Sequence, residues 1–119
     1  MTLKEVKEIL NAEVIVNTAD LETEVKMCCG CDLMSDVLSF VKAGSLLLTG
    51  LVNAQVVRTA EVSEIKAICF VRGKTPFEET INLAKEKGIP LLTTKLPMYE
   101  SCGKLYQKGL PGCSEYKGS

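Results

Sequence analysis

Histidine and tryptophan are absent from this 119-residue chain, and aromatic residues together make up only 5% of it. Without histidine there is no Ser-His-Asp or Cys-His nucleophile pair, no imidazole metal ligand and no side chain whose ordinary pKa lies near neutrality. An excess of charge of one sign is missing as well. Fourteen Lys and Arg face fifteen Asp and Glu, for a formal net charge of -1, so no overall field draws the chain to nucleic acid or to an anionic membrane. No apolar run approaches the roughly 18–20 residues that span a bilayer. Met1-Thr2-Leu3-Lys4-Glu5 brings an early acidic residue and a helical pattern where a secretory signal would be basic and then apolar. The expectation is a cytoplasmic protein with neither a membrane nor a nucleic-acid partner.

Cysteine, by contrast, is plentiful: Cys28, Cys29, Cys31, Cys69, Cys102 and Cys113. In a reducing compartment such a set points to free thiols, a metal site or redox work rather than to a disulfide framework. Three of the six fall in the run Met27-Cys28-Cys29-Gly30-Cys31-Asp32. Read as the N-cap of a helix, Asp32 would bring first-turn N–H groups toward a Cys31 thiolate. Thiolates bind metal, so Cys28, Cys29 and Cys31, with Cys102 as the ligand from elsewhere in the chain, are candidates for zinc or an iron-sulfur cluster. Cys113 is a further candidate, whereas Cys69 lies in an apolar stretch where an inert buried thiol is the default. The pair Cys28 and Cys31 could instead form a disulfide as a thiol redox sensor. The plain alternative is packing of small residues in a tight turn.

With 46% apolar and 24% charged residues, the composition is that of one compact domain. Thr2 and Glu5 have capping-box spacing ahead of a helix over 3–10. Residues 12–16 and 22–27 read as extended, with a turn over 17–21. A helix follows from Asp32, then an apolar strand over 45–49, a helix over 53–62 and a buried strand over 67–71. Thr75-Pro76-Phe77-Glu78 combines an N-cap, a proline at the first helical position and a capping-box Glu, which predicts a helix over 76–87. Gly88 stops it, a short strand spans 89–94, and Pro97 opens a last helix to about 108. The alternation predicts an α/β domain: a single three-layer-like arrangement with a parallel or mostly parallel sheet flanked by helices. Residues 1–110 form this domain in our reading, and 111–119 a flexible C-terminal tail.

Ligands of such sheets collect at the carboxyl ends of strands. Two turns therefore supply candidate ligand-binding residues: Thr49, Gly50 and Asn53 after one strand, and Arg72, Gly73 and Lys74 after the next. A glycine, two cations and a capped helix N-terminus suit an anion such as a nucleotide phosphate. Arg72-Gly73-Lys74-Thr75 is not a P-loop, because Ile68 stands where that motif needs its first glycine. No catalytic constellation is recognisable, and the reading is of a protein that is not an enzyme.

The run Asp32-Leu33-Met34-Ser35-Asp36-Val37-Leu38, the turn from Thr49, the strand Ile68 to Val71 with Gly73-Lys74-x-Pro76-x-Glu78-Glu79, and Gly88-Ile89-Pro90 before Leu91-Leu92 together resemble the DRTGG domain family. The resemblance covers roughly residues 1–110. The Asp-Arg-Thr-Gly-Gly signature is itself absent; the nearest turn reads Thr49-Gly50-Leu51-Val52-Asn53. Similar domains accompany HPr kinases, phosphotransacetylases and regulatory pyrophosphatases, beside adenine-nucleotide-sensing modules, and help to form dimers. Others stand alone, encoded near iron-only hydrogenase genes. The resemblance implies a small regulatory or accessory module of redox or energy metabolism, without kinase activity since the family's catalytic P-loop belongs to a separate domain. It further implies a homodimer, an adenine nucleotide or other phosphorylated ligand, and a redox-enzyme partner. The thiols at 28, 29 and 31 depart from the family pattern, and they keep a metal or iron-sulfur protein open as the alternative.

Overall fold

A computed structural model describes residues 1–17 and 20–115. Ten elements follow one another: α1 (Leu3–Leu10), β1 (Glu13–Val16), β2 (Met27–Gly30), α2 (Met34–Phe40), β3 (Ser45–Thr49), α3 (Gln55–Val62), β4 (Ala67–Phe70), α4 (Glu78–Lys87), β5 (Leu91–Thr93) and α5 (Met98–Gln107). The five strands make one sheet in the order β1-β5-β4-β3-β2. Four strands are parallel and only β1, at one edge, runs antiparallel to its neighbour. The expected mostly parallel α/β domain is thus the observed one.

Alternation along the buried strands divides the core between the two faces of the sheet. Leu46, Leu48, Ala67, Cys69, Val71 and Leu92 meet Leu3, Val6 and Leu10 of α1 and Leu105 of α5. Leu47, Ile68, Phe70 and Leu91 meet α2, α3 and α4 through Val37, Val56, Val57, Ala60 and Ala84. Helices α1 and α5 therefore cover one face and α2, α3 and α4 the other, which makes three layers. The capping box at the start of α1 forms as expected: Thr2 accepts from the Glu5 N–H, and the Glu5 carboxylate accepts from the Thr2 N–H. Gly88, at φ 70°, ends α4 in the left-handed region that glycine enters without strain.

Three expectations need correction. The cysteine run is not a turn. Met27 to Gly30 pair in parallel register with Ser45 to Leu48, because small apolar thiols fit a strand beside the apolar β3. Residues 22–26 precede that strand, and among them only Glu24 makes an isolated bridge, to Thr2. Helix α4 begins at Glu78 with Phe77 as its N-cap and no side-chain cap, so the capping box from Thr75 does not form. The Phe77 N–H and the Thr80 hydroxyl both donate to the Val52 carbonyl, at 3.2 and 2.8 Å, and this tie to the preceding loop holds residues 76–77 extended. Finally, part of the tail expected to be loosely held lies along the edge of the sheet. The Cys28 N–H donates to the Pro111 carbonyl at 2.9 Å, and Cys28 bridges Gly112 in parallel sense. Residues 116–119 of that tail, and 18–19 of the expected turn, lie outside the described residues.

Candidate functional site

The carboxyl ends of β2 and β3 are joined by a carboxylate. Asp32 does not cap α2, whose N-cap is Leu33; its Oδ1 accepts instead from the Thr49 hydroxyl at 3.0 Å and from the Gly50 N–H at 2.7 Å. The Thr49 hydroxyl in turn accepts from the Leu51 N–H at 3.1 Å. Thr49 is fully buried, so its side chain is a strut of this turn rather than a group presented to a ligand. Asn53 is likewise occupied, its side-chain oxygen accepting from the Gln55 N–H at 3.1 Å.

Gly50 shapes the space above the turn. A Cβ there would lie 2.9 Å from Arg72 Nη2 and 3.7 Å from both Asp32 carboxylate oxygens. The missing side chain is therefore what lets the guanidinium and the carboxylate approach the same point. Among the described residues Arg72 and Lys74 form no ion pair. Arg72 also carries backbone strain: its φ is +59°, followed by +66° at Gly73, and a left-handed arginine costs on the order of 1 kcal/mol. Two hydrogen bonds impose it, from the Arg72 N–H to the Leu96 carbonyl at 2.8 Å and from the Gly73 N–H to the Thr94 carbonyl at 2.7 Å. These donors are spent, and α4 begins too late to aim its N-terminus at the turn. The expected backbone cradle at Gly73 thus reduces to the side chains of Arg72 and Lys74.

The cysteines are arranged quite differently. Cys28 and Cys102, both partly buried, pack against one core cluster, while Cys31 packs against the opposite one, as strand alternation requires. Cys28 and Cys31 therefore cannot ligate one ion or close one disulfide without unmaking the strand. Among the described residues no group of three or more His, Cys, Asp or Glu side chains converges on a possible metal position. The expected zinc or iron-sulfur site of Cys28, Cys29, Cys31 and Cys102 thus finds no support among the described residues. Burial pushes the Cys28 thiol well up, Cys29 up to about 11 and Cys69 up to about 12, and it raises Cys102 as well. Protonated thiols are poor nucleophiles and poor ligands. The Cys31 Sγ donates to the carbonyl of Leu33, the N-cap of α2, at 3.4 Å.

Asp32 is the site residue that sequence reasoning missed. Its place before an apolar helical run suggests only a helix N-cap, whereas its partners lie 17 and 18 residues ahead. Among the described residues no helix is long and apolar enough to cross a membrane.

Comparison with known proteins agrees with the architecture. The chain is similar to a solved structure of the CBS and DRTGG domains of the regulatory region of Clostridium perfringens pyrophosphatase, complexed with its activator diadenosine tetraphosphate, at a TM-score of 0.73 and 18% identity. The match covers 99% of this chain and 51% of that one, so the chain spans about half the length of that structure. At this identity the likeness establishes the fold. No curated protein sequence matches the chain. The DRTGG domain family model matches residues 5–107, and the chain belongs to the DRTGG domain family.

Proposed function

We propose that the chain is a non-catalytic regulatory or accessory module of redox or energy metabolism that takes an adenine nucleotide, or another phosphorylated ligand, at the carboxyl ends of β3 and β4. The observation that carries this reading is the Arg72 guanidinium standing over Gly50 with no ion-pair partner among the described residues. A planar fork of donors beside a residue without a side chain is a seat for a phosphoryl oxygen. Asp32 completes it from the other side. Its Oδ1 is spent on the turn, and Oδ2 is free to accept from a ligand hydroxyl such as that of a ribose. Membership of a family with a member in a pyrophosphatase regulatory region, solved with an adenine-nucleotide activator, supports the same reading. Leu38 and Phe40 on α2, 51% and 72% exposed, support a homodimer through that helix. Sedimentation of a lone monomer at micromolar concentration would remove that part.

Thermal melts with ATP, ADP, AMP and diadenosine tetraphosphate test the ligand. A nucleotide at 100 times its dissociation constant stabilises by about 2.7 kcal/mol, which raises the midpoint by several degrees in a domain of this size. The shift disappears in Arg72→Gln. An unmoved midpoint at millimolar concentrations of all four nucleotides overturns the proposal.

A further inference from the structure

Strands β2, β3 and β4 hand the chain to α2, α3 and α4 on one face of the sheet, while β5 hands it to α5 on the other. Neighbouring parallel strands whose connections part to opposite faces open a crevice at their carboxyl ends, and β4 and β5 are such a pair. A cleft of about 580 Å³ lies there, lined by Gly73, Thr75 and Thr93 and by three lysines: Lys7 of α1, Lys95 of the β5–α5 connection and Lys104 of α5. Among the described residues Glu13 is its single acidic lining residue. Among the described residues none of the three ammonium groups is in an ion pair. Positive charge is therefore concentrated at one point of a chain whose net charge is -1.

The cleft at the opposite end of the sheet shows that this is not simply how lysines fall on the surface. At about 680 Å³ it is larger, yet Lys26, Lys42, Lys66 and Lys87 there are set against Glu24, Glu61 and Glu64, and Lys87 pairs with Glu61 at 3.3 Å. Three glutamates against four lysines largely compensate the charge in that cleft, whereas one glutamate against three lysines leaves most of it uncompensated at β4 and β5.

We infer that the β4–β5 cleft is an oligophosphate subsite, in which Lys7, Lys95 and Lys104 hold the phosphate chain of the ligand. The inference rests on the proposed phosphorylated ligand and adds where its charge goes: beyond the Arg72–Lys74 turn, on the side away from Gly50. Lysines on flexible stems act as point charges, and the backbone N–H groups of Arg72 and Gly73 are already bonded. The subsite thus reads the number of phosphates rather than the geometry of one. Affinity rises from AMP to ATP, and inorganic tripolyphosphate binds without any base.

Titration calorimetry with tripolyphosphate, AMP and ATP tests this on the full chain and on the combined Lys7→Gln, Lys95→Gln and Lys104→Gln variant. All three positions are surface positions, and a retained cooperative melt certifies the variant. At up to about 1 kcal/mol for each partly exposed charge contact, the triple variant loses roughly 30- to 100-fold in tripolyphosphate affinity. Should it fail to melt cooperatively, Lys95→Gln alone carries the test at about threefold. ATP bound equally by the wild type and the triple variant, but lost in Arg72→Gln, overturns the subsite and leaves the proposed function standing. Tripolyphosphate bound by the wild type and lost in the triple variant, with no nucleotide bound, keeps the subsite and overturns the adenine-nucleotide reading. No binding of any of the three probes by the wild type overturns both.

Discussion

At the β2 edge the thiols of Cys28 and Cys102 are partly buried against apolar side chains, and burial raises the pKa of both, while at the carboxyl ends of β3, β4 and β5 cations stand outside any ion pair among the described residues, beside a strained turn. Both regions hold the residue types that chemistry favours. Burial separates them: a thiol stripped of water loses its ionised form, whereas an ammonium or guanidinium at a strand end keeps both charge and access. The cysteines contribute to stability, and the cations are what remains available for binding.

This contrast breaks first in alkali, where the largest effect is expected. Cys69, fully buried in β4, has its thiol pushed from an ordinary value of 9.0 up to about 12. The neutral form is the one favoured by folding, so its stabilisation is complete below pH 9 and is lost as pH rises toward 12, where the folded state must also ionise. By pH 11 the loss from this one group is on the order of 2–3 kcal/mol. Urea midpoints of the wild type and Cys69→Ala, measured in reductant from pH 8 to 11, isolate it: the wild type falls more steeply by that amount. Parallel curves would mean that the thiol is not buried as described.

The next effect, at the other region, is smaller. Asp32→Ala leaves the buried Gly50 N–H and the Thr49 hydroxyl without their acceptor, at a cost of about 2 kcal/mol. Asp32→Asn keeps an oxygen in that place and loses less than about 1 kcal/mol. Because an amide nitrogen then stands where Oδ2 would accept from a ligand hydroxyl, it also weakens nucleotide binding. Urea denaturation and nucleotide titration read the two quantities separately. Equal losses in Ala and Asn would show that the charge rather than the hydrogen bonds holds the turn.

How much of this was legible in the sequence follows from how local each signal is. The runs Ser45 to Thr49 and Ala67 to Phe70 carry their own apolar pattern, and Thr2 with Glu5 carries its own cap, so the sheet and the first helix could be read directly. Thr75 to Glu78 offered an equally good local cap, yet Val52, more than twenty residues earlier, takes the Phe77 N–H and sets the helix start. The Cys-x-x-Cys spacing announced chemistry, but β3, α5 and the segment at Pro111 to Gly112 decide that those residues form a covered edge strand. At the site, Arg72 was legible because it directly follows a strand. Asp32 and the lysines at 7, 95 and 104 were not, since only the fold brings together residues so far apart along the chain.

The smallest expected change bears most directly on whether the strained turn serves binding. Arg72 pays for a left-handed backbone that glycine adopts freely. The N–H that donates to Leu96 is a backbone group and survives substitution. Arg72→Gly therefore leaves the turn in place and relieves strain, and the wider freedom of glycine in the unfolded chain offsets part of the gain. The net expectation is a stabilisation below about 1 kcal/mol, read as a small rise in urea midpoint, together with loss of nucleotide binding. A variant that is more stable yet blind to ligand fits an arginine retained for its guanidinium against the local preference of the backbone. A variant that binds as before would leave the strain without a functional reason and would return the site to the lysine cleft alone.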